Sequence, residues 1–244
     1  MKKWIIFPLI ALVSFGLTGC FDVIEEIHLN KNGSGKYNVT MDMSSLMSDG
    51  FMKGMLKEQL KGEMEESEED VPMEKDTLIY LKDSPGFGSA TADEQKLIEK
   101  VVMHMTMSES KEKMLINIAF PFDKVADIES MTKAMQKMDT NNQLGGMMGG
   151  NMMPGGESKF IMKKGMLTRT PAPKMEKSED EEGMEMMKMF LGSASFKTIY
   201  HLPGKVKKVT IPNAEVDGSM VTISNSLLDL IEGKAKIDGD IKFK

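Results

Sequence analysis

Apolar and polar residues alternate with period two over several short stretches of this chain, the pattern of strands that bury one face. Residues 23–29 form an apolar stretch. After Lys31-Asn32-Gly33-Ser34-Gly35, the run 36–43 sets Tyr37, Val39, Met41 and Met43 on one side. The Asn-Gly turn between the two runs predicts a β-hairpin. Ser44 is the expected cap of a helix in which Leu46, Met47, Phe51, Met55 and Leu60 recur on one side. The acid-rich stretch 63–76 reads as a solvated loop without the spacing of an EF-hand. A short strand at 77–81, a glycine-containing loop at 83–92 and a short helix at 93–100 follow.

A second hairpin is predicted between 101–107 and 114–120, joined by the charged turn 108–113. Asp123 is the expected cap of a helix whose Ile128, Met131, Met135 and Met138 keep one face apolar. Residues 140–157 are a Gly/Met/Asn stretch without period, read as a flexible loop. The stretch 159–170 reads as extended chain broken at Lys163-Lys164-Gly165, then comes a polar linker at 171–182 and a short helix at 184–191. The remainder is rich in strands: 196–202, 206–211, 213–216, 220–223 and 236–243, with turns at Pro203-Gly204 and Asp217-Gly218 and a helical turn at 225–231. Hairpins separated by helices predict an α+β fold, a mostly antiparallel sheet packed by two or three amphipathic helices. One domain over 20–244 with mobile insertions fits this order, and so do two halves divided near residue 150.

The amino terminus has its own pattern. Lys2 and Lys3 precede a mostly apolar run over 4–17, which with Thr18 and Gly19 makes the layout of a signal peptide over 1–19. The run is shorter than the ~20 apolar residues that cross a bilayer. Leu17-Thr18-Gly19-Cys20 resembles the lipobox of bacterial lipoproteins. That resemblance implies cleavage between Gly19 and Cys20, a diacylglycerol on the Cys20 sulfur, added acyl chains such as palmitate, and anchoring to a membrane of the bacterial cell envelope. Inner and outer membrane both stay open. Trp4, the one tryptophan, would leave with the signal.

Composition removes several function classes. Cys20 is the one cysteine, so no intramolecular disulfide framework or cysteine-based zinc cluster is available. A formal charge of -6 and a single arginine, Arg169, argue against a nucleic-acid partner. His28, His104 and His201 each fall in a predicted strand, without a second histidine at metal-binding spacing, and read as strand histidines. No helical zinc motif, nucleophile elbow or phosphate loop is present. An enzyme is therefore not the expectation, and no cofactor is implied.

Methionine makes up 27 of the 244 residues. Met103, Met105 and Met107 share one side of a predicted strand, with His104 opposite. Met147, Met148, Met152 and Met153 crowd a glycine loop, and Met184, Met186, Met187 and Met189 fall in a short helical stretch. Soft thioethers select Cu(I), which makes Met103, Met105, Met107, Met147, Met148, Met152 and Met153 the metal candidates. The same side chains fill irregular cores and adaptable surfaces, or trap oxidants.

Two stretches carry a further likeness. Glu25-Glu26-Ile27-His28-Leu29-Asn30-Lys31-Asn32-Gly33-Ser34-Gly35-Lys36-Tyr37 and the region 196–230, with Leu202-Pro203-Gly204-Lys205-Val206 and Asp217-Gly218, resemble bacterial lipoproteins with an LppM-type domain. The resemblance implies an antiparallel sheet backed by helices and, for some members, binding of membrane lipids or glycolipids. The chain departs from that pattern in its methionine-rich middle and in lacking a carboxy-terminal membrane helix. The expected function is that of a non-enzymatic envelope lipoprotein binding an apolar ligand, such as a lipid, or a partner protein. Cu(I) sequestration through methionines is the alternative, and a hydrolase with an unrecognised site is a second one.

Overall fold

The computed structural model describes residues 21–48, 50, 53–54, 73–138, 158–171 and 191–244. The signal segment with Gly19 and Cys20 lies outside the described residues, as do Phe51, Met55 and Leu60. So do the loop bearing Met147, Met148, Met152 and Met153, nearly all of the 171–182 linker, and the methionines at 184–189.

The opening hairpin forms as its alternation predicts. β1 (Asp22–Leu29) and β2 (Gly35–Asp42) pair antiparallel from Asp22↔Asp42 to Leu29↔Gly35. Gly33 takes φ +88, a conformation that glycine adopts without strain, and the Asn32 side chain accepts from the Ser34 amide and hydroxyl. The next element, α1 (Ser44–Ser48), starts at Ser44 itself. Ser44 is not its cap. The Asp42 carboxylate accepts from the Ser44 amide, and the Ser44 hydroxyl accepts from the Met114 amide, fastening the turn to a neighbouring strand.

β3 (Glu74–Tyr80) begins three residues inside the stretch expected to be an acidic loop. The correction has a local cause. Glu74 accepts from the Ser110 amide and hydroxyl across the sheet edge, so its charge is satisfied in extended chain. The expected glycine loop folds into two 3-10 turns, Leu81–Asp83 and Pro85–Ser89. In α2 (Ala92–Ile98), Thr91 and Glu94 exchange side-chain and backbone hydrogen bonds as a capping box. β4 (Val102–Ser108) and β5 (Lys113–Phe122) form the second hairpin, followed by α3 (Asp127–Met138). Asp123 does not cap α3 but pairs with Lys100. Asp127 takes the local role, its carboxylate accepting from the Asp123 and Lys124 amides.

β6 (Phe160–Lys163) and β7 (Met166–Arg169) make a tight hairpin. Both turn residues, Lys164 and Gly165, have positive φ, the requirement of the turn that matches strand twist. The last elements are β8 (Ser195–His201), β9 (Val206–Val209), β10 (Ala214–Asp217), β11 (Met220–Ser226), α4 (Leu227–Ile231) and β12 (Gly239–Phe243). Ser226 caps α4 by accepting from the Asp229 amide.

The described strands form two sheets in an α+β fold. The larger has eight strands in the order β10-β11-β8-β1-β2-β5-β4-β3, and the smaller has four in the order β6-β7-β12-β9. Every pairing is antiparallel except β1 with β8, which run parallel near the middle of the large sheet. That pair ties residues 22–28 to residues 195–201.

One continuous core fills the inner face of the large sheet. Val23 and Ile27 of β1, Val39 and Met41 of β2, Ile116, Ile118 and Phe120 of β5, and Val221 and Ile223 of β11 all point into it. Ile128 and Met131 of α3 and Phe160, Leu167 and Ile241 of the small sheet join the same cluster. Each such side chain stabilises by about 1.5–3 kcal/mol relative to exposure. The opposite, outer face carries the alternate residues of each strand, which apart from Ser108 are half-buried or exposed.

Candidate functional site

The centre of the large sheet places chemistry on both of its faces, from adjacent residues of β1. Alternation sends Glu25 inward and Glu26 outward. Inside, Glu25 is buried with Arg169 of β7, a carboxylate and a guanidinium at 2% and 1% side-chain exposure. Arg169 Nη1 donates to Glu25 Oε2 at 2.5 Å and Nη2 to Oε1 at 3.2 Å, a two-pronged pair. Tyr37 of β2 donates its hydroxyl to Oε1 at 2.8 Å, and Thr198 of β8 donates to Oε2 at 2.9 Å. Arg169 Nη1 also reaches the Tyr200 hydroxyl at 3.3 Å, and its guanidinium lies 5.0 Å from the centre of the Phe160 ring.

Electrostatics keeps this group in one state. Burial is the largest single effect on Arg169 and lowers its pKa, but the Glu25 charge, Tyr200 and the hydrogen bonds to both together outweigh it and hold the guanidinium above its ordinary value. Burial, with the Glu25 charge added, pushes the Tyr37 hydroxyl well above its ordinary value. Burial also raises Tyr200, against the pull of Arg169. The result is a fixed ion pair with neutral phenols around it, which clamps the small sheet to the large one.

On the outer face, Glu26, His28 and His201 come together. Glu26 and His28 are two residues apart on β1, and the parallel register sets His28 beside His201 of β8. The two imidazoles stack with centroids 4.0 Å apart and planes 2° from parallel. His201 Nε2 lies 3.4 Å from Glu26 Oε1, and both side chains are about one-third exposed, at 36% and 33%. Burial, then the neighbouring His201, lowers the pKa of His28 against the opposing effect of Glu26. Along the sequence no histidine has a second histidine at metal-binding spacing, but the fold sets His28 and His201 side by side. Spacing along the chain could not find this pair, because strand pairing brings its members together from opposite ends of the domain.

The remaining sequence candidates are placed as follows. Met103, Met105 and Met107 all point into the core, across from Ile118, Ile116 and Met114 of β5. His104, on the outer face of β4, meets Asp76 of β3 at 2.5 Å. Arg169, which sequence reasoning used only to argue against nucleic-acid binding, is the largest fully buried side chain among the described residues. Its hint in the sequence was its isolation: one arginine among basic residues that are otherwise all lysine.

No family model matches the chain, and no curated protein matches it in sequence. Among solved structures, the NMR structure of the folded domain of Mycobacterium tuberculosis LppM is similar, with a TM-score of 0.42 at 8% sequence identity. That match covers 93% of this chain and 91% of the LppM domain.

Proposed function

We propose that this chain is a lipid-anchored, non-enzymatic protein of the bacterial envelope that holds a protein-binding domain directly against a membrane. The observation that carries the reading is that Phe21, the residue after Cys20 in the sequence, already belongs to the fold. Phe21 is already buried, its carbonyl accepts from the Ser195 amide at 3.0 Å, and β1 starts at Asp22. One residue of chain spans at most about 3.6 Å, so acyl chains on Cys20 hold the start of a central strand at the lipid surface without a spacer. Two such chains make a stable anchor at about 0.8 kcal/mol per buried methylene. No helix among the described residues is long and apolar enough to cross a membrane.

The outer face of the large sheet supports a protein partner over an apolar ligand. It mixes half-buried Ile24, Ile199 and Leu115 with Asn38, Asn117 and Thr222, and its edge strand exposes Leu78 and Tyr80. Nine methionines are buried in the core, the packing role rather than that of an adaptable surface. The reading is tested by fractionating bacteria that produce the chain or its Cys20→Ala variant, then crosslinking through Leu78 and Tyr80. Recovery of the intact chain with membranes, release of the variant, and one crosslinked protein partner are expected. A variant that stays in the membrane, or crosslinks to lipid alone, overturns it.

A further inference from the structure

We infer that Glu26, His28 and His201 form a binding site for a divalent first-row transition ion on the outer face of the large sheet. Each of the three side chains offers one ligand atom, and these atoms all lie within 4.8 Å of one another. The set is two imidazoles and one carboxylate, the intermediate donors that suit zinc, copper and nickel rather than magnesium or calcium.

The backbone already holds these ligands in place. Glu26 and His28 occupy alternate positions on β1, and His201 sits level with His28 on β8, inside the one parallel pairing of the sheet. Strands flank this pair on both sides, β2 beyond β1 and β11 beyond β8. The donor atoms therefore move mainly by side-chain rotation. An ion binding nitrogen and oxygen at about 2.0–2.2 Å in a tetrahedron wants its ligands about 3.3 Å apart. Glu26 Oε1 and His201 Nε2 already stand 3.4 Å apart, so binding would mainly turn the two rings out of their parallel stack, because stacked rings aim their lone pairs side by side rather than at one point.

The surroundings supply a second sign. Asn38, paired with Glu26 across β2, has a side-chain oxygen shielded from solvent that meets no hydrogen-bond donor among the described residues. A buried carbonyl-type oxygen of that kind costs free energy unless a donor or a cation faces it. An ion held by Glu26, with its bound water, brings a donor to that side of the carboxylate. Met220, paired with His201 on β11, places a thioether on the other side of the site. Lys36, paired with His28 and exposed, brings an opposing charge. Three protein ligands leave at least one position for water or for a group of a partner, the open arrangement of sites that exchange ligands.

The test uses the untagged mature chain, acylated and in detergent, titrated with Zn2+ by calorimetry, with Mg2+ as the control ion. One Zn2+ per chain is expected. Glu26→Gln, His28→Ala and His201→Ala should each weaken it at least 10-fold, by the scale on which metal-site contacts act. Lys36→Gln should tighten it, and His104→Ala should leave it unchanged. Cu2+ should bind more tightly than Zn2+. In the unaltered chain, Zn2+ should shift the imidazole NMR signals of His28 and His201 and spare those of His104, a readout that does not depend on any variant folding. Absence of saturable binding, binding that survives loss of both His28 and His201, or shifts confined to His104 would overturn the inference. Any of these leaves the reading of Cys20 as the anchor untouched.

Discussion

Arg169 and Glu25, 144 residues apart in sequence, form a two-pronged ion pair in the core that joins the two sheets. A buried charge left without its partner is far more costly than the pair is stabilising. Arg169→Ala should therefore destabilise the protein by about 3–5 kcal/mol in urea unfolding. Replacing Glu25, Arg169, Tyr37 and Thr198 together by Leu, Met, Phe and Val should recover more than half of that loss. Equal destabilisation by the single and fourfold variants would mean that shape, and not the isolated charge, dominates at this position.

The phenols around that pair give an alkaline signature. The folded-state pKa values of Tyr37 and Tyr200 are raised, chiefly by burial, so the unfolded chain gives up these protons first. Their contribution is fully present below the ordinary tyrosine pKa of 10.0 and is lost as pH rises beyond it. Phenolate absorbance from these two residues should appear only together with loss of the near-ultraviolet circular dichroism of the folded state. Ionisation of either one in an intact fold would contradict the geometry.

Glu94 gives the acid counterpart. Its carboxylate takes hydrogen bonds from Lys137 and from the Thr91 amide and hydroxyl, which lower its pKa from 4.5 to about 2. A depressed carboxylate stabilises above its unfolded value and loses that contribution as pH falls toward the folded one. The capped start of α2, and its contact with α3 through Lys137, should loosen as pH falls from 4.5 toward 2. Carboxyl NMR of Glu94 should show the low midpoint, and Lys137→Met should raise it. An unchanged midpoint in that variant would remove Lys137 from the account.

Met105 lies in the core at 4% exposure, whereas Met166 is 36% exposed on the outer side of the small sheet. Met105→Ala should cost about 2–5 kcal/mol by leaving a cavity, and Met105→Leu less than about 1.5 kcal/mol. Met166→Ala should stay within about 0.5 kcal/mol. Thermal unfolding of the three variants separates packing from metal binding: a packing methionine accepts leucine, and a ligand thioether does not.

The strands were readable where one face alternates cleanly. Tyr37, Val39 and Met41 on β2, Met103, Met105 and Met107 on β4, and Phe196, Thr198 and Tyr200 on β8 each mark the inward face. What alternation does not encode is which strand lies beside which. The parallel register of β1 with β8 depends on contacts between chain ends, so neither the Glu25–Arg169 clamp nor the His28–His201 stack had a local signal. The small sheet was hidden for another reason. β6, β7 and β9 are four residues each, too short for a period to stand out, and only the Lys164-Gly165 turn marked a hairpin. The caps failed at Ser44 and Asp123 because each side chain found a partner outside its own helix, Met114 in one case and Lys100 in the other.

The central claim is that Cys20 carries the lipid that sets the start of β1 on a membrane. Mass spectrometry of the amino-terminal peptide of the chain, purified from bacterial membranes, tests this most directly. The account predicts a peptide that begins at Cys20, bears a diacylglyceryl group on sulfur, and comes from a mature protein without tryptophan. A peptide that begins elsewhere, or an unmodified Cys20 thiol, would contradict it.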